Sequence, residues 1–110
     1  MKAVNAKKEN KSPQGDNDSE RKAISEILSE EWKRKTFIFV NKASENPERF
    51  VSGYEIYRKF NVRSTSNAYR FFKKLVELGY FRRPVEGNHP IAVRVTEAGK
   101  EMYDKLSPFL

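Results

Sequence analysis

With 110 residues, the chain is long enough for one compact domain and too short for two. It has no cysteine, which removes disulfides, thiolate catalysis and the usual zinc sites and fits a reducing, cytoplasmic setting. Its net charge is +7, and no apolar run approaches the roughly 20 residues that span a bilayer, so no membrane partner is expected.

The placement of the charge says more than its size. Between Arg58 and Arg94 stand Arg58, Lys59, Arg63, Arg70, Lys73, Lys74, Arg82, Arg83 and Arg94, opposed only by Glu77 and Glu86. Nine minus two is seven, so this one segment carries the whole excess. A basic stretch inside a folded domain points to a polyanionic partner; a lysine-rich solvated surface is the plainer reading of charge alone.

Residues 1–18 are polar, lack aromatics and have no apolar stretch of the kind a secretory signal needs. They cannot bury enough apolar surface to offset ordering, so they read as a disordered arm, with the domain proper over residues 19–110 and Ser19 a candidate N-cap. Ala23, Ile24, Ile27, Leu28 and Trp32 are spaced as on a helix, and Phe37 to Val40 is apolar all round. The pattern predicts one long helix, or two with a break near Glu31, ending at Asn46-Pro47. Phe50-Val51 is a short extended piece. Ser52 and Glu55 stand in the capping-box relation ahead of a short helix that buries Ile56 and Phe60 and stops near Asn61.

After the turn Asn61-Val62-Arg63, Ser64-Thr65 offers a second N-cap for the clearest helix of the chain. At about 100° per residue, Ala68, Phe72 and Leu75 face one side with Phe71 and Val76 beside them. Ser66, Arg70, Lys73 and Glu77 face the other, Asn67 and Lys74 lie along one edge and Tyr69 along the other. Gly79 suits the position after the helix. Tyr80 to Glu86 and Ile91 to Val95 then read as a β-hairpin across Gly87-Asn88-His89-Pro90, with Ile91, Val93 and Val95 inward and Ala92 and Arg94 outward. Thr96 caps a last helix with Met102, Tyr103 and Leu106 on its apolar side, closed by Ser107-Pro108.

The expected fold is therefore mainly α with a small β-hairpin, in the order of a winged helix-turn-helix. In that plan a helix enters the major groove of duplex DNA and a basic hairpin lies beside it. Three runs resemble the PadR-type winged-helix regulators and, less closely, the MarR-type ones: Ser52-Gly53-Tyr54-Glu55-Ile56-Tyr57, then Ala68 through Phe81, then Val95-Thr96-Glu97-Ala98-Gly99-Lys100-Glu101. They cover about half the chain. The middle run, ending in Leu-x-x-Leu-Gly-Tyr-Phe, is specific for the fold and weak for the subfamily; Thr-Glu-Ala-Gly after a strand is the more telling piece. The long C-terminal helical extension that often completes the family's dimer is not expected here, which shifts the expected dimer seam to the Ile24 to Val40 helix.

The resemblance implies operator binding as a homodimer, with a recognition helix over residues 64–78 and a wing over 81–95. Ser66, Asn67, Arg70 and Lys73 are expected at base edges or phosphate, and Ser64, Thr65, Tyr69 and Lys74 at phosphate. Arg70 and Asn67 lead for specificity, since arginine suits guanine edges and asparagine adenine; for Tyr69 packing on the helix flank, and for Lys74 a solvated charge, stay open. Arg63 is placed at the turn, to contact DNA or to solvate it, and Arg82, Arg83 and Arg94 on the wing. The apolar residues Ile24, Ile27, Leu28, Trp32 and Phe37, with Met102, Tyr103 and Leu106, are expected at the dimer interface, because the first helix is too rich in them for a monomer of this size.

No enzyme is expected: His89 is the sole histidine and sits in a turn near the wing tip, and no carboxylate pair or phosphate loop is present. No cofactor or metal is expected either. Trp32, Phe37 and Phe39 could instead line an effector pocket between subunits. Two other readings stand beside transcriptional regulation: a plasmid-partition centromere-binding adaptor that spreads along DNA, and a winged helix used as a protein-interaction module with a further protein partner. An RNA role is disfavoured, because no aromatic platform is expected beside the basic residues.

Overall fold

A computed structural model describes residues 17–85 and 92–110. The chain is mainly helical, with five α-helices and a small antiparallel sheet among the described residues. Helix α1 spans Asn17–Leu28, α2 Glu31–Ala43, β1 Val51–Ser52, α3 Gly53–Phe60, α4 Thr65–Glu77, β2 Phe81–Arg82, β3 Ala92–Val95 and α5 Glu97–Leu106, followed by a 3-10 turn at Ser107–Phe109. Helix α1 thus begins two residues before Ser19. The rest of the expected arm, and the turn holding His89, lie outside the described residues. None of the described helices is long and apolar enough to cross a membrane.

Of the two readings for the first apolar stretch, the broken helix is the one found. Ser29 Oγ donates to the Glu26 carbonyl at 2.9 Å and the Arg34 guanidinium reaches back to the Leu28 carbonyl at 2.8 Å. These donors occupy acceptors that the end of α1 leaves open. Glu30, extended at φ −144°, then starts α2, and its carbonyl accepts from the amides of Lys33 and Arg34. The break lets α1 fold back on α2, and Glu20 near its start pairs with Lys105 near the end of α5.

That return changes the fate of the apolar residues. Ile27, Phe37, Met102 and Leu106 are buried in the protomer's own core, with Ala23, Val40, Ile56, Ala68, Phe71, Phe72, Leu75 and Phe81. They are enclosed within one chain and cannot face a second copy, contrary to the expected dimer interface. Ile24, Leu28, Trp32 and Tyr103 are only partly buried. The core is knitted by edge-on rings: Trp32 meets Phe71 at 5.5 Å, and Phe72 meets Phe81 at 5.8 Å.

The caps follow the sequence closely. Ser52 Oγ accepts from the Glu55 amide at 3.0 Å, while the Glu55 carboxylate turns to Arg49 instead of closing the box. Helix α3 ends at Asn61 in the left-handed region, φ 54°, which asparagine tolerates better than most residues. Ser64 Oγ caps α4 through the Asn67 amide at 3.3 Å. Gly79, at φ 92°, closes α4. Its amide bonds the Val76 carbonyl and that of Tyr80 bonds Leu75, a Schellman ending that buries Tyr80 and Leu75 together.

The sheet runs β1–β3–β2, antiparallel throughout, with Val51 opposite Val93 and Phe81 opposite Val95. Strand β3 is therefore central, and all four of its residues are buried. The expected alternation, with Ala92 and Arg94 outward, does not hold. One face of β3 meets the helical core, and the connection from α2 to β1 covers the side that Arg94 enters.

The Thr-Glu-Ala-Gly run joins this sheet to the end of α4. Thr96 Oγ1 accepts from the Gly99 amide at 3.0 Å and donates to the Gly79 carbonyl at 2.7 Å, and the Thr96 amide bonds the Tyr80 carbonyl. A Cβ at Gly99 would run into that same Tyr80 carbonyl and the Val95 side chain. Two of the three runs that carry the family resemblance are thus in mutual contact.

Candidate nucleic-acid interface

Helix α4 has a buried side and a solvent side set by its own sequence. Ala68, Phe71, Phe72 and Leu75 are buried, whereas Ser66, Arg70, Lys73, Lys74 and Glu77 are exposed. Five of its thirteen residues thus present a polar, net basic surface. Arg63 in the preceding turn is also exposed, and Ser64 and Thr65 are half-buried at the helix start. Arg82 and Arg83 are exposed on and just after β2.

Of the expected contact residues, Arg94 is withdrawn from the surface, and Tyr69 and Asn67 are half-buried at the edges of α4. Arg94 is only 8% exposed. Its Nη2 donates to the Ser44 carbonyl at 2.9 Å, and its Nη1 to those of Pro47 at 2.6 Å and Asn46 at 3.0 Å. The Val95 amide completes the joint by bonding Ser44 Oγ at 3.0 Å. A cation at the carbonyl end of α2 is favoured by the helix dipole, and Ser44 is the residue that ends that helix. Arg94 therefore fastens the sheet to α2 and is withdrawn from the wing surface. Arg82 lies directly opposite it on β2. The Phe50 ring lies within cation–π range of both, 5.7 Å from Arg82 and 5.8 Å from Arg94.

Tyr69 is half-buried with its ring against Gly53, where any Cβ would collide with it. The packing reading of Tyr69 is the one found: its ring sets the close approach of α3 to α4. Asn67 is half-buried and faces the junction of α1 and α2, lining clefts with Glu30 and Trp32. Its Oδ1 lies 3.5 Å from the Arg70 guanidinium, at the limit of a hydrogen bond.

Helix α3 supplies residues that the sequence reading passed over. Tyr54 is 53% exposed, and its hydroxyl accepts from Arg58 Nη1 at 3.1 Å. The Arg58 guanidinium sits 6.0 Å from the Tyr54 ring, and the Tyr57 ring lies 6.0 Å away on the same helix. The hydrogen bond to Tyr54, and then the charge of that phenol when ionised, push Arg58 above its ordinary pKa. An aromatic surface is thus exposed beside basic residues after all. Its signal was the Tyr54-x-x-x-Arg58 spacing, which places both on one helix face.

Without Arg94, eight cations of the basic segment remain: Arg58, Lys59, Arg63, Arg70, Lys73, Lys74, Arg82 and Arg83. All eight are exposed. Among the described residues, no group of three or more His, Cys, Asp or Glu stands ready to hold a metal. Comparison with protein-family models, curated proteins and solved structures returns no match for the chain.

Proposed function

We propose that the chain is a sequence-specific double-stranded DNA-binding protein of winged helix-turn-helix type, acting as a transcriptional regulator on an operator. The observation that carries this reading is the outward face of α4. Thirteen residues make a rod of about 20 Å, held by a cap at Ser64 and a Schellman ending at Gly79, with Ser66, Arg70, Lys73 and Lys74 turned to solvent. A capped helix with a polar, cationic outer side fits a major groove about 12 Å wide. The short α3 before it and the sheet order β1–β3–β2 after it suit a winged helix, and the runs resembling PadR-type regulators fall on its structural joints.

Within this reading Arg70 is the leading residue for guanine recognition, Ser66 and Lys73 flank it, and Arg82 and Arg83 serve the wing. Ser64 and Thr65, at the start of the helix, present amides toward phosphate. Asn67 works beside the helix and not at its centre. Binding as a homodimer on a two-fold operator belongs to the proposal, through surface that the core leaves partly open, such as Ile24 and Leu28.

Selection of bound duplex fragments followed by footprinting tests the reading. One short palindromic protected stretch supports a regulator. A protected region that lengthens with protein concentration replaces it with a partition adaptor that spreads along DNA. Binding that ignores salt points instead to protein interaction.

A further inference from the structure

The side of α4 that Asn67 occupies opens into a cleft of about 680 Å³ between the α1–α2 junction and the α3–α4 connection. Its lining includes Glu30, Trp32, Tyr57, Asn61, Arg63 and Asn67. The volume falls within the range of about 300–1,000 Å³ usual for small-ligand sites, although this cleft is open and more polar than most.

The chemistry of the lining is specific. Two aromatic side chains, two amides, one cation and one carboxylate share one concavity. The indole edge is fixed, because Trp32 Nε1 donates to Glu30 Oε1 at 3.0 Å. Asn61 is held by the left-handed end of α3. Neither its amide nor the Arg63 guanidinium has a hydrogen-bond partner among the described residues. Asn67 spends only its long contact with Arg70. Beyond Tyr57 the surface continues to exposed Tyr54 and Arg58.

We infer that this cleft takes an unpaired nucleotide. Aromatic faces stack on any base, amides pair with base edges that a duplex would hide, and a guanidinium holds the phosphate. A base inside a duplex offers no free ring face, so this activity differs from groove reading by α4 and does not depend on it. Two exposed cations, Arg63 in the lining and Arg58 next to Tyr57 in the chain, favour a nucleotide within a single strand over a free one.

Trp32 is the chain's single tryptophan, so its fluorescence reports on the cleft directly. Titration of the full chain with short oligo(dA) and oligo(dT), and separately with AMP and TMP, gives saturable quenching if the inference holds. Quenching by the strands alone assigns the site to single strands; equal quenching by mononucleotides assigns it to free nucleotides. Tyr57→Leu weakens binding at least about fivefold, the equivalent of about 1 kcal/mol of lost stacking. Should Tyr57→Leu lower the melting temperature, Arg63→Gln decides, since Arg63 is exposed: it reduces the single-strand salt slope by about 0.7. Absence of quenching by every probe, or quenching untouched by both substitutions, overturns the inference. Loss of duplex binding in Lys73→Ala with quenching intact separates this cleft from the face of α4.

Discussion

Arg70 on α4 and Arg94 on β3 belong to the same basic stretch, yet the fold uses them in opposite ways. Arg70 stands exposed on a helix whose apolar side is spent on the core. Arg94 is buried and spends its donors on carbonyls at the end of α2. Strand β3 is central in the sheet, so its arginine is enclosed by the chain that crosses over it. Among the described residues, helix α4 keeps a whole face turned to solvent. A count of charges along a sequence therefore overstates the cationic surface wherever an arginine has carbonyls to cap.

The comparison breaks first at Arg94. Arg94→Ala leaves the buried Ser44 carbonyl and the part-buried carbonyls of Asn46 and Pro47 without this donor and lowers stability by about 3 kcal/mol, measured by urea denaturation; a loss below about 1 kcal/mol would return Arg94 to the surface. On the same structural side, Gly99→Ala presses a methyl group into the Tyr80 carbonyl and costs about 1–3 kcal/mol, seen as a lower melting temperature. For α4 the signs reverse. Arg70→Ala leaves stability within about 0.5 kcal/mol while weakening duplex affinity by about 1–3 kcal/mol and relaxing sequence preference. Equal weakening on every sequence would reduce Arg70 to a phosphate contact. The smallest change is Ser64→Ala, which removes the cap of α4 and costs about 1 kcal/mol of stability, read from the same denaturation curves.

Local chemistry made much of this fold legible. Ser52, Ser64 and Thr96 each cap a helix over a span of three residues, and Gly79 and Asn61 stop helices through backbone freedom; such contacts are written in neighbouring residues. The two faces of α4 followed from periodicity. The break between α1 and α2 was left open because Ser29 and Glu30 carry no glycine or proline, and the donors that end α1 include Arg34, six residues from its acceptor.

Arg94 was misplaced because its acceptors, the carbonyls of Ser44, Asn46 and Pro47, lie 50, 48 and 47 residues away. Strand alternation assumes one open face, and only the tertiary path of the α2–β1 connection closes it. The same limit misassigned Ile27, Phe37, Met102 and Leu106 to a dimer interface, since the sequence does not say that α1 returns onto its own chain. The cleft at Trp32 was equally hidden, because its lining comes from three helices and two connections.

Duplex binding by the outward face of α4 is tested most directly by the salt dependence of affinity for a selected DNA fragment. The account predicts that log K falls linearly with log salt, with a slope of about −0.9 for each phosphate neutralised. It also predicts that Arg70→Ala lowers affinity, whereas an Arg94 variant that stays folded, such as Arg94→Lys, retains it. A weak interaction with duplex DNA that does not change with salt would contradict it.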